Sequence, residues 1–293
     1  MVNASKSFGR RAFMCGALAS AAIPAQADVP RVAAIDWAML ETALALGVTP
    51  VAACELIRFR ADAITPEIPQ TVVDLGLRSS PNFELLQLTR PTLILSSPWY
   101  AYIEPRFTAI APVYSQTFYF ADKDPWQKSI DALHGLAGQL GIPDTAHQVE
   151  AAAHAEIAQL RDTLVPYRDR PLYLAEIGDA RHFRAFGPDS MFGAVLTELG
   201  LTNAWQGNTE YSFAAPVPLE RLAETPEARI IGISGIPVVA KQAMAQSVLW
   251  NRLVPVAQGR FAEIEDINPF GGLPAGLRFA RLLTTALTQG HAG

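Results

Sequence analysis

The chain has 293 residues, half of them apolar and only 17% charged, which suits one large or two medium domains around a real core and excludes a disordered chain. Its formal net charge is −5 and it carries no basic run, which argues against nucleic acid and against an anionic membrane surface as partners.

The first 27 residues read as an export signal. Lys6, Arg10 and Arg11 form a positive region, Phe13–Ile23 is an alanine-rich apolar run, and Ala25-Gln26-Ala27 is an A-x-A cleavage site. Gly9-Arg10-Arg11-Ala12-Phe13-Met14 carries the R-R-x-F pattern of twin-arginine signals, and the weak hydrophobicity of the run favours that route over an ordinary secretory signal. Cys15 precedes the apolar run and lacks the small residues of a lipid-attachment motif, so no lipid anchor is expected. No later apolar run approaches the roughly 18 residues of a membrane span. The expected product is a soluble, periplasmic protein. Loss of three positive charges with the signal takes the net charge from −5 to −8 and leaves Cys54 without a disulfide partner.

Beyond the signal, Arg31–Ile35 reads as a strand and Ala38–Leu46 as a helix ending at Gly47. Val51–Ala53 is a short strand, and Glu55–Gln70 is a polar, proline-punctuated connection. Thr71–Asp74 is a strand that runs into Gly76-Leu77-Arg78-Ser79-Ser80. Pro81 opens a helix with Ser80 as its N-cap, and Pro91–Ser96 is a buried strand. Helices over Glu104–Ile110 and Pro125–Leu140 flank a strand over Val113–Phe120.

From Asp144 to Leu164, the apolar residues Val149, Ala153, Ile157, Leu160 and Leu164 recur every three or four positions, the stripe of one helix face. Asp144 or Thr145 can cap its start, Gln148 completes a capping-box pattern with Thr145, and Pro166 stops it. About 20 residues give a helix roughly 30 Å long. It lies between two runs of alternating strands and helices, so a helix joining two α/β lobes is the economical reading; a long surface helix within one domain is the alternative. Leu172–Ile177 and Phe183–Phe186 read as strands, Ser190–Leu199 as a helix, Ile230–Ser234 as a strand, Gln242–Arg252 as a helix, Phe261–Ile264 as a strand and Gly271–Leu287 as the last helix. The fold class is α/β: two lobes with mainly parallel sheets flanked by helices, bridged by one long helix. The expected divisions are 28–143, 144–166 and 167–293.

Catalytic signatures are absent. Gly232-Ile233-Ser234-Gly235 lacks nucleophile-elbow spacing, and there is no P-loop, H-E-x-x-H, C-x-x-C or G-x-G-x-x-G. His147 and His154 lie seven apart on the central helix. With no third ligand suggested nearby, they read as a solvated polar face. What remains are basic and aromatic residues in turns: Arg78; Trp99, Tyr100 and Tyr102; Trp205, Tyr211 and Phe213; and Asn268-Pro269-Phe270-Gly271-Gly272. Ligands of open α/β sheets bind beyond the carboxyl ends of strands. An arginine fork and a tyrosine hydroxyl suit an oxygen-rich ligand. Any metal in such a cleft would arrive already chelated.

Val73-Asp74-Leu75-Gly76-Leu77-Arg78 with Pro81-Asn82-Phe83-Glu84-Leu85-Leu86 is followed by Phe186-Gly187-Pro188-Asp189-Ser190 and Asn203-Ala204-Trp205-Gln206-Gly207. Leu249-Trp250 through Gly259-Arg260-Phe261 closes the series. In that order, across essentially the whole mature chain, the sequence resembles the periplasmic substrate-binding proteins with a helical backbone (class III), specifically their iron(III)-hydroxamate (ferrichrome) binders. The resemblance implies two lobes around a shallow cleft and delivery of an iron(III)-siderophore to an inner-membrane ABC permease. No catalysis and no resident cofactor are implied. It puts Arg78 and Tyr100 on the chelate oxygens, with Trp37, Tyr211 and Phe270 as the aromatic surround. Asn268 joins the ligand-binding set; together with Asp62 and Ser212 it stands where a family member has tryptophan. Glu84 and Glu198 are the matches for the acidic residues that dock the permease, one per lobe. A monomer is expected. The alternatives are a binder of a corrinoid, haem or a catecholate siderophore, and an exported enzyme.

Overall fold

The computed structural model describes residues 30–119, 124–207, 209 and 217–289. The export signal and Tyr211 lie outside the described residues. The first half of the chain runs β1 (Val32–Ala34), α1 (Trp37–Ala45), β2 (Ala52–Ala53), α2 (Leu56–Asp62), β3 (Val73–Asp74), α3 (Phe83–Leu88), β4 (Leu93–Ser96), α4 (Glu104–Thr108) and β5 (Val113–Ser115). Its sheet has the order β3-β2-β1-β4-β5, with every pairing parallel. The winding reverses at β1, which leaves a crevice between the carboxyl ends of β1 and β4, the place where open sheets of this kind hold ligands.

Helices α5 (Pro125–Leu140) and α6 (Pro143–Thr163) lead to the second half: β6 (Leu172–Ile177), β7 (His182–Ala185), α7 (Met191–Glu198), β8 (Val217–Pro218), β9 (Arg229–Gly232), α8 (Val238–Gln246), α9 (Val248–Arg252), α10 (Val254–Ala257), β10 (Phe261–Glu263) and α11 (Leu273–Gln289). Here the order is β10-β9-β6-β7-β8, and this sheet is mixed. β6, β9 and β10 are parallel, whereas β7 and β8 pair antiparallel. The link from β6 to β7 is too short for a parallel crossover, so the chain must turn back as a hairpin.

Local differences from the sequence reading have local causes. The connection after β2 contains α2. Asn82, not Ser80, caps α3, its Oδ1 accepting the Leu85 N–H at 2.9 Å. α6 begins at Pro143, whose missing N–H suits a first helical position, and no side chain caps it, so the Thr145/Gln148 box is unused. Ser247 is extended and splits the helix read over Gln242–Arg252, capping α9 through its Oγ.

On α6, Ala153 and Ile157 are buried and Val149 and Leu160 half-buried, the stripe read from the sequence. The helix packs on α5 and α11, and it does not join the halves alone: one continuous core runs through α1, α5, α6, α7 and α11. At its centre Glu41 of α1 is fully buried. Its Oε1 accepts from Asn268 Nδ2 at 2.9 Å, and its Oε2 accepts the N–H groups of Gly272 at 2.8 Å and Ala275 at 3.2 Å. The carboxylate thus caps the start of α11 from the other half of the molecule. Gly271 and Gly272 allow the approach, since a Cβ on either would run into Glu41 or the Ala38 carbonyl and Thr42. Burial pushes the Glu41 carboxyl up to about 8 against the pull of its three donors.

Replacing Glu41 with alanine leaves three buried donors unmet. At about 1–3 kcal/mol for such groups, urea unfolding of Glu41→Ala is expected to show a loss of about 3 kcal/mol. Because the folded-state value lies above the ordinary 4.5, the carboxyl's contribution is full below that pH and is lost as pH rises through about 8. The urea midpoint of the natural protein is expected to fall across that window, and that of Glu41→Gln to stay flatter.

Candidate functional site

Four successive parallel strands each deliver a polar residue just past their carboxyl ends: Asp36 after β1, Glu55 after β2, Arg78 after β3, and the Ser97–Tyr100 turn after β4. They line a hollow of about 230 Å³ closed by Trp99, Phe118, Tyr119 and Phe270. A second hollow of about 510 Å³ adjoins it, sharing Arg78 and Phe270 and reaching Trp37, Asp62, Glu176, Arg184 and Asp266. The cleft therefore lies between the two sheets, and together the hollows match the roughly 300–1,000 Å³ of small-molecule sites.

Arg78 is clamped. Its Nε donates to Glu55 Oε2 at 3.0 Å, its backbone N–H donates to Glu55 Oε1 at 3.1 Å, and its guanidinium carbon lies 4.1 Å from the centre of the Trp37 ring. Trp37 is itself fixed, donating its indole N–H to the Cys54 carbonyl and meeting Phe59 edge to face. Glu55 holds this clamp at φ 53°, a left-handed conformation that a glutamate adopts only under constraint. The clamp uses Nε and leaves the two terminal guanidinium nitrogens without a hydrogen-bond partner among the described residues.

Tyr100 is half-buried in the same hollow, and burial raises its phenol above the ordinary range, so it stays a hydrogen-bond donor. Asp36 caps α1 through the Met39 N–H and accepts from Ser97 Oγ at 2.9 Å, and burial raises its carboxyl. Tyr102 donates to the Ser79 carbonyl, tying the turn after β4 to the turn that carries Arg78. Phe270 brings the second half to this wall: Tyr119 meets its edge at 5.6 Å and Trp99 tilts against it at 6.0 Å.

The structure thus brings Arg78, Tyr100, Trp37 and Phe270 to one cleft. Trp37 is 3% exposed, so it serves as the shelf under Arg78 rather than as open wall. Asn268 borders the second hollow but is 2% exposed, its amide committed to Glu41 and to the Phe270 N–H, which makes it a strut of the interhelix cap and not a free ligand contact. Glu84 is exposed in the first turn of α3, just beyond the Arg78 turn. Glu198 ends α7 in the second half and lines neither hollow; its carbonyl accepts from Arg161 of α6 and its carboxylate pairs with the same guanidinium.

The sequence reading missed Asp36, Glu55 and Ser97, although their places just after strands marked them. It also missed Arg184 and Glu176, which oppose each other across β6 and β7 as an ion pair. Arg184 lies inside β7, which runs antiparallel to β6, so it is not among the residues just past a carboxyl end where ligand contacts are expected.

A family model described as periplasmic binding protein matches residues 32–267. The iron(3+)-hydroxamate-binding protein FhuD of Escherichia coli (strain K12) is 30% identical over 261 residues, covering 89% of this chain and 88% of that protein. The Fe3+–Desferal bound siderophore binding protein FhuD from Vibrio cholerae superposes with a TM-score of 0.82 at 24% identity, covering 89% of this chain and 99% of that one. The triscatecholate siderophore binding protein FeuA from Bacillus subtilis, complexed with ferri-bacillibactin, gives 0.66 at 15% identity, covering 89% and 93%. Both structural likenesses are likenesses of fold. Among the described residues no helix is long and apolar enough to cross a membrane.

The left-handed Glu55 supplies a test of the clamp. A non-glycine residue there carries about 1–2 kcal/mol of backbone strain. Both Glu55→Ala and Glu55→Gly lose the pair with Arg78, and only glycine relieves the strain. Glu55→Gly is expected to unfold at a higher urea concentration than Glu55→Ala, by about 1 kcal/mol in free energy.

Proposed function

The chain belongs to the periplasmic binding protein family, and from that premise we propose that it binds an iron(III)-hydroxamate siderophore in the cleft and delivers it to an inner-membrane ABC permease. The observation that carries this reading is the meeting of Arg78 and Tyr100 on one wall of the hollow at the sheet's switch point. The terminal guanidinium nitrogens and the phenol are donors aimed at an acceptor-rich ligand, and the hydroxamate oxygens around a ferric ion are such acceptors. The aromatic wall of Trp99, Tyr119 and Phe270 packs the organic backbone of the chelate. The hydroxamate-binding relative, similar over most of its length, supports the same ligand class.

Charge separates the candidate chelates. The two hollows together present five carboxyls, Asp36, Glu55, Asp62, Glu176 and Asp266, against three arginines, Arg58, Arg78 and Arg184. Three hydroxamates neutralise a ferric ion, whereas three catecholates leave the complex triply negative. A lining with more acid than base favours the neutral or cationic complex. A core shared by five helices leaves few loop residues to absorb a hinge rotation, so the lobes close little around the ligand. In this reading the protein is a non-enzymatic, monomeric receptor, exported through its twin-arginine signal to the periplasm. Glu84 contributes to permease docking from the first lobe.

Trp37 and Trp99 in the cleft report ligand directly. Tryptophan fluorescence, corrected for absorbance by the coloured chelates, is expected to show saturable quenching by ferrichrome or ferrioxamine and none by ferric enterobactin or vitamin B12. Arg78→Ala is expected to weaken the hydroxamate at least about tenfold, the scale of a lost charge-assisted hydrogen bond. Saturation by the catecholate or the corrinoid alone would discard the ligand and keep the family. Small-angle scattering is expected to show nearly the same radius of gyration with and without ferric hydroxamate; a large compaction would contradict the stiff interlobe core.

A further inference from the structure

Away from the cleft, α5 and α6 carry a cluster of side chains that the transport reading leaves unused. His134 of α5 faces His147 and Glu150 of α6, with one donor atom from each lying within 4.8 Å of the other two. His134 Nε2 and Glu150 Oε2 are 2.6 Å apart, and the rings of His134 and His147 are 4.8 Å apart, centre to centre. The other oxygen of Glu150 lies 3.7 Å from His154 Nε2. The sequence suggested no third ligand beside His147 and His154; the pairing of α5 with α6 supplies His134, and Glu150 completes the set. None of the four lines either hollow of the cleft.

We propose that His134, His147 and Glu150 form a binding site for a divalent transition-metal ion, with Zn²⁺ the best fit and His154 the outer partner that orients Glu150. Two imidazoles and a carboxylate suit zinc and its neighbours rather than magnesium or calcium, which take oxygen-only shells. The set converges from two helices: His147 and Glu150 are three residues apart and share a face of α6, while His134 reaches across from α5. Bonds of about 2.0–2.1 Å to zinc place tetrahedral ligands about 3.3 Å apart. The present spread closes by rotation of side chains, and His147 is exposed and has room to swing.

Side-chain exposures of 31% for His134 and 30% for Glu150 leave the site open to an ion from solution. Glu150 already faces its partner, with Oε2 2.6 Å from His134 Nε2 in a hydrogen bond that a metal ion would displace. Binding replaces that hydrogen bond with a metal bond to each partner and releases any proton they share to solvent. A zinc ion here staples the last helix of the first lobe to the helix that crosses to the second.

The test is calorimetric titration of Zn²⁺ into tag-free, chelator-stripped protein. One equivalent is expected to bind with micromolar or tighter affinity and to raise the thermal midpoint by a few degrees. His134→Ala and His147→Ala are each expected to weaken binding by about tenfold or more and to abolish the thermal shift, with a smaller loss in His154→Ala. His182→Ala, on the β6–β7 hairpin, is expected to bind normally. No saturable binding at submillimolar Zn²⁺ would overturn the site, as would full-strength binding in His147→Ala. Quenching by ferric hydroxamate is expected to be unchanged in His147→Ala, and zinc binding unchanged in Arg78→Ala, so failure of either reading leaves the other standing.

Discussion

The structure depends on a carboxyl group buried where charge is most expensive. Glu41 lies in the core between the two halves, where burial pushes its carboxyl up to about 8 and the Asn268 amide and two backbone N–H groups at the start of α11 offset the cost. The same contact shapes the site. It fixes the turn from Asn268 to Gly272, whose Gly271 carbonyl accepts the Tyr119 hydroxyl and whose Phe270 ring forms the aromatic wall with Tyr119 and Trp99. The strut between the lobes and the wall of the cleft are one piece of backbone, so a disturbance of the first is felt in the second.

Recognition in the cleft rests on preorganisation more than on reach. An arginine in solution samples many rotamers, and ordering it on binding costs affinity. Here Trp37 supports the guanidinium from one side and Glu55 holds its Nε, so the fork is oriented before a ligand arrives. The left-handed Glu55 is the local cost of that arrangement, placed where function gains from it.

Much of this was legible in the sequence because it is governed by near neighbours. The stripe on α6, the buried run of β4, and the placement of Arg78 and Tyr100 just beyond strands follow from spacing alone. What could not be read depends on partners far along the chain. Asn268 looks like an open polar loop residue until Glu41, 227 positions earlier, occupies its amide. Arg184 is hidden by the reversal of β7, and His134 meets His147 only because α5 folds back along α6. In each case local pattern gives the element, and the tertiary partner decides the role.

The end-to-end reach of the Glu41 cap also sets the order in which the protein can mature. α1 leaves the ribosome well before α11, with 234 positions between Glu41 and Ala275. Until residues 268–275 have been synthesised, Glu41 has no donors and the core that α1 shares with α11 has no lid. The amino-terminal half by itself therefore lacks the donors that satisfy its buried glutamate. A fold held by contacts 227 to 234 positions apart is of the long-range kind that slows folding and lengthens the time during which a chaperone can hold the chain.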